Sequence, residues 1–466
     1  MAETVPTKIE SATIYRIPLD QRHGRPRDLF TIWFGSNLMM LTVVTGALAT
    51  GVFGLPFLPA LAAIITGNMI GAIFMALHAA QGPRLGVPQM VQTRGQFGIV
   101  GAVPITALIV IMYVGFAASN LVLGGEGLQF IVPHLNRLGG ILIIQALSVI
   151  PAIYGYHMIH TAARIMTWVC GVAILLCLCL VGWEHGADLL HASHAHISTR
   201  GILGTISTAA LWQIAYAPYV SDSSRYLPPG PDGERKAFHA SFWGAVLGSV
   251  LPMTLGAMIG LLASGHNIVA TLGQMLHGAA VPVLCALSLS IAVANAMNVY
   301  CGALSTLTII QTFVSTRRHQ KALRLAITSV LLTIALLMAV FMARSFMALY
   351  SEFLELLMSV MIPWTAINLT DYYLIHRGEY DVESFFHPTG GRYGRYNKPA
   401  FICYFVGILI QIPFLSNALF TGPMARLVHG VDLSWIVGLV VTTPLYWWAA
   451  DRQARSAPTG LAATAD

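Results

Sequence analysis

Long apolar runs separated by short polar breaks fill this chain from residue 29 almost to its C-terminal end. A helix of about 20 apolar residues is long enough to cross the hydrocarbon of a bilayer. Twelve such runs lie near 29–50, 57–80, 97–122, 138–156, 163–183, 202–220, 238–264, 278–303, 324–342, 346–367, 399–419 and 431–449. The pattern predicts an all-α polytopic membrane protein with 12 transmembrane helices. No inter-run segment is long enough to bury a core of its own.

Two of the runs are irregular. The first, FGSNLMMLTVVTGALATGVFGLP, carries Gly35, Ser36, Asn37, Gly46 and Gly51. The sixth, LWQIAYAPYVSDSSRYLP, places an amide, two tyrosines and Pro218 where a plain span would be apolar. In lipid a helix break is tolerated only beside protein or a wet cavity. The two breaks are five spans apart. Corresponding interruptions in two five-helix halves point to an inverted repeat with a ligand site near the midplane. The competing reading is that glycines in membrane helices serve close packing. The division expected is a cytoplasmic tail (1–28), a first repeat (29–200, spans 1–5), a second repeat (201–377, spans 6–10), two further spans (378–450) and a cytoplasmic tail (451–466).

Composition agrees with the pattern: 56% of residues are hydrophobic and 9% charged, against about 25% charged in soluble domains. Only Arg137, Arg200, Arg344 and Arg426 of the 25 Lys and Arg fall in the loops assigned outside. That asymmetry places both termini in the cytoplasm, so the net charge of +6 is not a nucleic-acid signal. The expected location is the cell membrane, the inner membrane of a bacterium. The polar first 28 residues lack the apolar core of a cleavable signal. All six cysteines lie within apolar runs and read as small buried hydrophobes. His185, His191, His194 and His196 crowd an outer loop, where a solvated polar loop is preferred to a metal site. No catalytic constellation is present, so an enzyme is not expected, nor is an organic cofactor or a metal.

Three stretches carry a resemblance. HAAQGPRLGVPQMVQTRGQFG (His78 to Gly98), VSDSSRYLP (Val220 to Pro228) and NLTDYYLIHRGEYDV (Asn368 to Val382) resemble the nucleobase–cation symporter family, closest to its cytosine and purine permease branch. The resemblance runs over almost the whole chain. It implies a five-plus-five inverted repeat with discontinuous helices 1 and 6, two additional C-terminal helices, alternating access, and cation-driven uptake of a flat nitrogen heterocycle.

Such a ligand calls for ring faces to stack on and amides for its donor and acceptor rim. It needs no charged partner, which would be costly in the membrane. Phe116 and Asn120 lie four apart on one helical face; the resemblance matches them to a Trp and a Gln of the family's site, and both are departures. Tyr113 precedes them. In span six the family's aromatic position falls on Gln213, with Trp212 beside it. The expectation is that Trp212 lines the pocket and Gln213 bonds the ligand rim, the flat guest lying between ring faces. In span eight Asn295 matches a family site residue and Asn298 faces with it, although interhelical amide bonds are the alternative for both. Asn37 either serves the ligand or holds the unwound backbone. Asp222 and Arg225 are expected to close the cytoplasmic mouth as a gate.

In sodium-coupled relatives hydroxyls precede the span-eight Asn. Here those positions are Val293 and Ala294, and Ser290, a turn earlier, is the remaining weak cation ligand. Proton coupling is preferred to sodium, with Glu126, Glu352, Glu355 and His78 as the titratable candidates, and uniport is the remaining alternative. The reading is a secondary transporter for cytosine, a purine, a hydantoin, an allantoin or an imidazole. The alternatives are a same-fold symporter for an amino acid or amine, and a substrate sensor without net transport.

Overall fold

The first apolar run becomes two helices. In the computed structural model, which describes residues 14–456 apart from 155, 192–196, 264–266, 315–319, 418, 419 and 429, α1 (Pro26–Asn37) and α2 (Met40–Gly51) meet at 59°. Leu38 and the extended Met39 form the break, just past the Gly35–Ser36–Asn37 cluster. The sixth run also divides, into α8 (Thr199–Ile214) and α9 (Ala217–Ser224). Pro218 falls in the first turn of α9, where its missing N–H interrupts no helical bond.

The remaining helices are α3 (Phe57–Leu85), α4 (Gln89–Phe97), α5 (Ala102–Ile131), α6 (Arg137–Tyr154), α7 (Tyr156–His191), α10 (Pro231–Leu262), α11 (Ile268–Met275), α12 (Ala280–Phe313), α13 (Gln320–Met342), α14 (Phe346–Leu369), α15 (Lys398–Leu409), α16 (Pro423–Leu427) and α17 (Ser434–Ser456). Among the described residues eight single helices, or nine spans with the bent α1–α2 pair, are long and apolar enough to cross a membrane. The other three expected runs hold the α8–α9 pair, α15 and α17, which are shorter or more polar. The protein is an all-helical, multi-pass membrane protein.

Packing divides the helices into two groups. Spans one, two, six and seven (α1–α2, α3, α8–α9, α10) pack on one another, and spans three, four, eight and nine (α5, α6, α12, α13) form a second group. Pairings recur at an offset of five spans. Span two packs on span six as span seven packs on span one, and span three packs on span nine as span eight packs on span four. Small residues permit the approach: a Cβ added to Gly256 on α10 would lie 1.8 Å from the Val43 carbonyl oxygen on α2.

The face that carries the N-terminal tail holds an element that hydropathy gives no hint of. All nine residues of α4 are buried, although Gln89, Gln92, Thr93, Arg94 and Gln96 are polar. Buried polar groups need partners, and each of these residues finds at least one. Arg94 donates to Gln311 Oε1 and the Phe385 carbonyl, both at 2.8 Å, and to the Thr308 carbonyl at 2.5 Å. The backbone N–H of Gln89 donates to Asp222 Oδ1 at 3.0 Å. Gln81 Nε2 donates to Asn368 Oδ1 at 2.8 Å, and Asn368 Nδ2 to Gln96 Oε1 at 3.2 Å. The three stretches that carry the family resemblance are therefore one packed layer. Beneath it α14 continues as a π-helical segment, Thr370–Ile375. There the Asp371 carboxylate accepts from the hydroxyls of Tyr380 and Tyr446, the latter at 2.6 Å, and lies 3.1 Å from His376 Nδ1. The N-terminal tail straps this face: Arg22 donates to the carbonyls of Ile17 at 2.9 Å and Pro83 at 2.7 Å. Burial, together with Arg16 and Arg225 nearby, lowers the Arg22 pKa.

Candidate functional site

A cavity of about 450 Å³ opens where the two breaks meet the second helix group. From the α1–α2 break come Ser36, Met39 and Leu41. From α8, α9 and their junction come Trp212, Ala215, Tyr216 and Tyr219. The opposite wall is Phe116 and Asn120 of α5 with Ala294, Met297 and Asn298 of α12. No charged side chain lines it. A mostly apolar lining with a few placed polar groups suits a small ligand.

The aromatic groups do not form a parallel slot. The Phe116 and Trp212 ring centroids are 6.0 Å apart with their planes at 85°. Phe116 also meets Phe353 edge to face, at 5.3 Å and 81°. A flat guest in this conformation would find one ring's face and the other's edge, where the sequence suggested two faces.

Asn120 is the distinctive polar group. It is fully buried, lines the cavity, and among the described residues neither its Oδ1 nor its Nδ2 has a hydrogen-bond partner. One unmatched donor and one unmatched acceptor side by side are complementary to a heterocycle edge that presents the reverse pair. Asn298 lines the same cavity, with its Oδ1 accepting from the Tyr219 hydroxyl.

Several sequence-predicted residues stand behind the wall. Asn37 is fully buried: its Nδ2 donates to the Trp33 carbonyl at 2.7 Å, and its Oδ1 accepts from Trp212 Nε1 at 2.7 Å and Ser249 Oγ at 2.8 Å. Gln213 does not reach the cavity. Adjacent helical residues diverge by about 100°, so with Trp212 facing in, Gln213 faces α3 and α10. There it donates to Asn68 Oδ1 at 2.7 Å and Ser249 Oγ at 2.8 Å. Asn295 also lies outside the lining, its Nδ2 donating to the Ala117 carbonyl at 3.3 Å. Tyr113 packs under the cavity, edge to face with Tyr219 at 4.4 Å, and its hydroxyl donates to the Pro218 carbonyl at 3.0 Å. Ser290 Oγ donates to the Leu287 carbonyl at 2.7 Å.

Asp222 and Arg225, expected at the cytoplasmic mouth, are buried as well. Asp222 holds the start of α4, and Arg225 Nε donates to the Asp222 carbonyl at 3.3 Å while its guanidinium lies 5.2 Å from the Tyr226 ring centre. His185 faces Asp188 at 3.8 Å; His194 and His196 lie outside the described residues. Met39, Tyr216, Tyr219 and Met297 are lining residues that sequence reasoning did not assign to the ligand. Tyr216 and Tyr219 had a signal in their proximity to Pro218, whereas the methionines look like ordinary core.

Residues 16–438 match the family described as permease for cytosine/purines, uracil, thiamine, allantoin. The chain belongs to this family. The permease is 35% identical to the putative purine-cytosine permease YxlA of Bacillus subtilis, covering 94% of this chain and 95% of that protein. The structure of Mhp1, a nucleobase-cation-symport-1 family transporter in a closed conformation with bromovinylhydantoin bound, superposes with a TM-score of 0.76 at 17% identity, over 97% of both chains. A Na+-coupled sialic acid symporter in a substrate-bound outward-open state is more distant, with a TM-score of 0.64 at 12% identity, covering 93% of this chain and 91% of that one. These likenesses give the permease the Mhp1 fold.

Proposed function

We propose that this permease carries a neutral, flat nitrogen heterocycle of the nucleobase class into the cell by cation-coupled alternating access. The observation that carries the proposal is the unpartnered Asn120 amide, which shares with Phe116 and Trp212 a cavity whose described lining holds no charged side chain. A buried amide left unmatched costs about 1–3 kcal/mol, and a heterocycle with adjacent donor and acceptor removes that cost. The name of the Bacillus relative, a purine-cytosine permease, points to the same substrate class. An amino acid would bring two charges to a site that offers neither countercharge. The site set proposed for substrate is Phe116, Asn120, Trp212 and Asn298, with Asn37, Tyr113, Gln213 and Asn295 supporting them from behind.

In this reading residues 29–200 and 201–377 are the two repeats, 378–450 carries the last two spans, and residues 1–28 and 451–466 are tails in the cytoplasm of a cell with the permease in its plasma membrane. Alternating access is movement of the group holding spans one, two, six and seven against the group holding spans three, four, eight and nine. Asp222 and Arg225 keep the inner mouth shut by holding α4. The coupling ion is a proton: Val293 and Ala294 supply no side-chain oxygen where sodium would want two, and Ser290 bonds its own helix. No organic cofactor takes part.

Uptake in cells lacking their own carriers tests the proposal. Labelled cytosine, adenine, uracil, allantoin and urocanate would be compared with leucine and proline. Accumulation of a heterocycle, unaffected by excess amino acid, is expected; transport of amino acids alone would overturn it.

A further inference from the structure

The ends of α1 and α10 border an open surface groove that is remote in character from the transport cavity. Its shape follows from two close contacts. A Cβ added to Gly244 would lie 2.6 Å from the Phe30 carbonyl oxygen, and one added to Gly248 would lie 2.5 Å from that of Phe34. The helices touch there and part toward their N-terminal ends, which the charge distribution assigns to the cytoplasmic side.

The groove is basic at one end and aromatic at the other. Arg27 lies on one side, Arg235, Lys236 and His239 on the other, with Phe30 and Trp243 one and two turns further along their helices. The acid in the lining, Asp232, is taken up in an ion pair with Lys236. Among the described residues neither Arg27 nor Arg235 makes an ion pair. Asp28, the acid next to Arg27, lines a different cavity with Ala163 and Arg164. Beyond the basic end the surface turns apolar: Trp243 is 47% and Leu247 44% exposed, on a helix that crosses the membrane.

We propose that this groove seats an anionic phospholipid of the inner leaflet. Its phosphate lies between Arg27 and Arg235, and an acyl chain runs along Trp243 and Leu247. The cytoplasmic leaflet is the anionic one, and basic pockets between transmembrane helices on that side recognise its headgroups. A soluble phosphate would satisfy the arginines and leave the aromatic wall bare, so the two-part lining selects a lipid. Because α1 and α10 belong to one helix group, the lipid braces that group and leaves the substrate cavity untouched.

The test uses the full chain, delipidated in neutral detergent. Phosphatidylglycerol is expected to raise its unfolding temperature by several degrees, while phosphatidylcholine and glycerol 3-phosphate do not. Arg27→Gln and Arg235→Gln each weaken the response roughly fivefold, equivalent to about 1 kcal/mol per charge, with substrate affinity unchanged. Trp243→Ser weakens it with both arginines intact and serves where an arginine variant does not fold. Equal stabilisation by phosphatidylcholine, or an undiminished response in all three variants, overturns the proposal. A response to glycerol 3-phosphate equal to that for the lipid replaces it with a soluble-anion site.

Discussion

The indole N–H of Trp212 donates to Asn37 Oδ1 at 2.7 Å, so the ring that walls the cavity hangs from the last residue before the break in span one. Ser249 donates to the same oxygen, and Gln213 donates to Ser249. The break, the ring and spans two and seven thus share one buried network.

Asn37→Ala removes the acceptor that orients Trp212 and leaves a buried indole N–H unmatched. Substrate affinity is expected to fall by about 10- to 100-fold, within the range of a lost buried hydrogen bond. Asn37→Asp, which keeps an acceptor oxygen, should recover part of it. Equilibrium binding to purified protein reads this directly; an unchanged affinity in Asn37→Ala would detach Asn37 from the site.

Asn120→Ala makes a different prediction, because this amide has no protein partner to lose. Thermal stability should be unchanged or slightly higher, while affinity drops by about 1–3 kcal/mol. The opposite pattern, lost stability with preserved affinity, would make Asn120 structural.

Tyr219 and Asn298 join the two helix groups directly beneath the ligand space. Tyr219→Phe deletes that link with little change in shape. The inner mouth should then open more often, and Cys301, a buried thiol in the cavity below with Asp222, should react faster with a membrane-permeant maleimide. Labelling at the rate of the unaltered protein would refute a gating role.

Asp371 accepts from two phenols and faces an imidazole in the inner layer. Asp371→Ala strands all three, and loss of one partner from a buried charged cluster costs about 3–5 kcal/mol. A lower unfolding temperature in detergent is expected, together with retained substrate affinity in whatever fraction folds. A variant as stable as the parent would show that the cluster is dispensable.

Sodium dependence separates the coupling readings. Replacing external sodium with choline should leave uptake intact, and a protonophore should abolish it. Uptake that follows the sodium gradient instead would require ligands other than Ser290, Val293 and Ala294.

The helical pattern was legible because a span must be apolar over its whole length, and that is a property of composition. Both breaks could be placed to within a few residues, since Asn37 and Pro218 have few other uses in a span. Which side a residue faces was harder to read. Trp212 and Gln213 are neighbours in sequence, and only the continued winding of α8 to Ile214 decides that the ring enters the cavity and the amide leaves it. Helix α4 was hidden because its burial depends on partners such as Asp222, Thr308 and Phe385, which are distant in sequence.

The packed layer formed by the three family-like stretches has a further consequence. In the proposed reading, what this carrier selects and how it lets go are written in different parts of the chain: the first in a handful of side chains around a midplane chamber, the second in a polar mat at one end. Exchange of Phe116 or Asn120 should then redirect the cargo while the release machinery stays as it is.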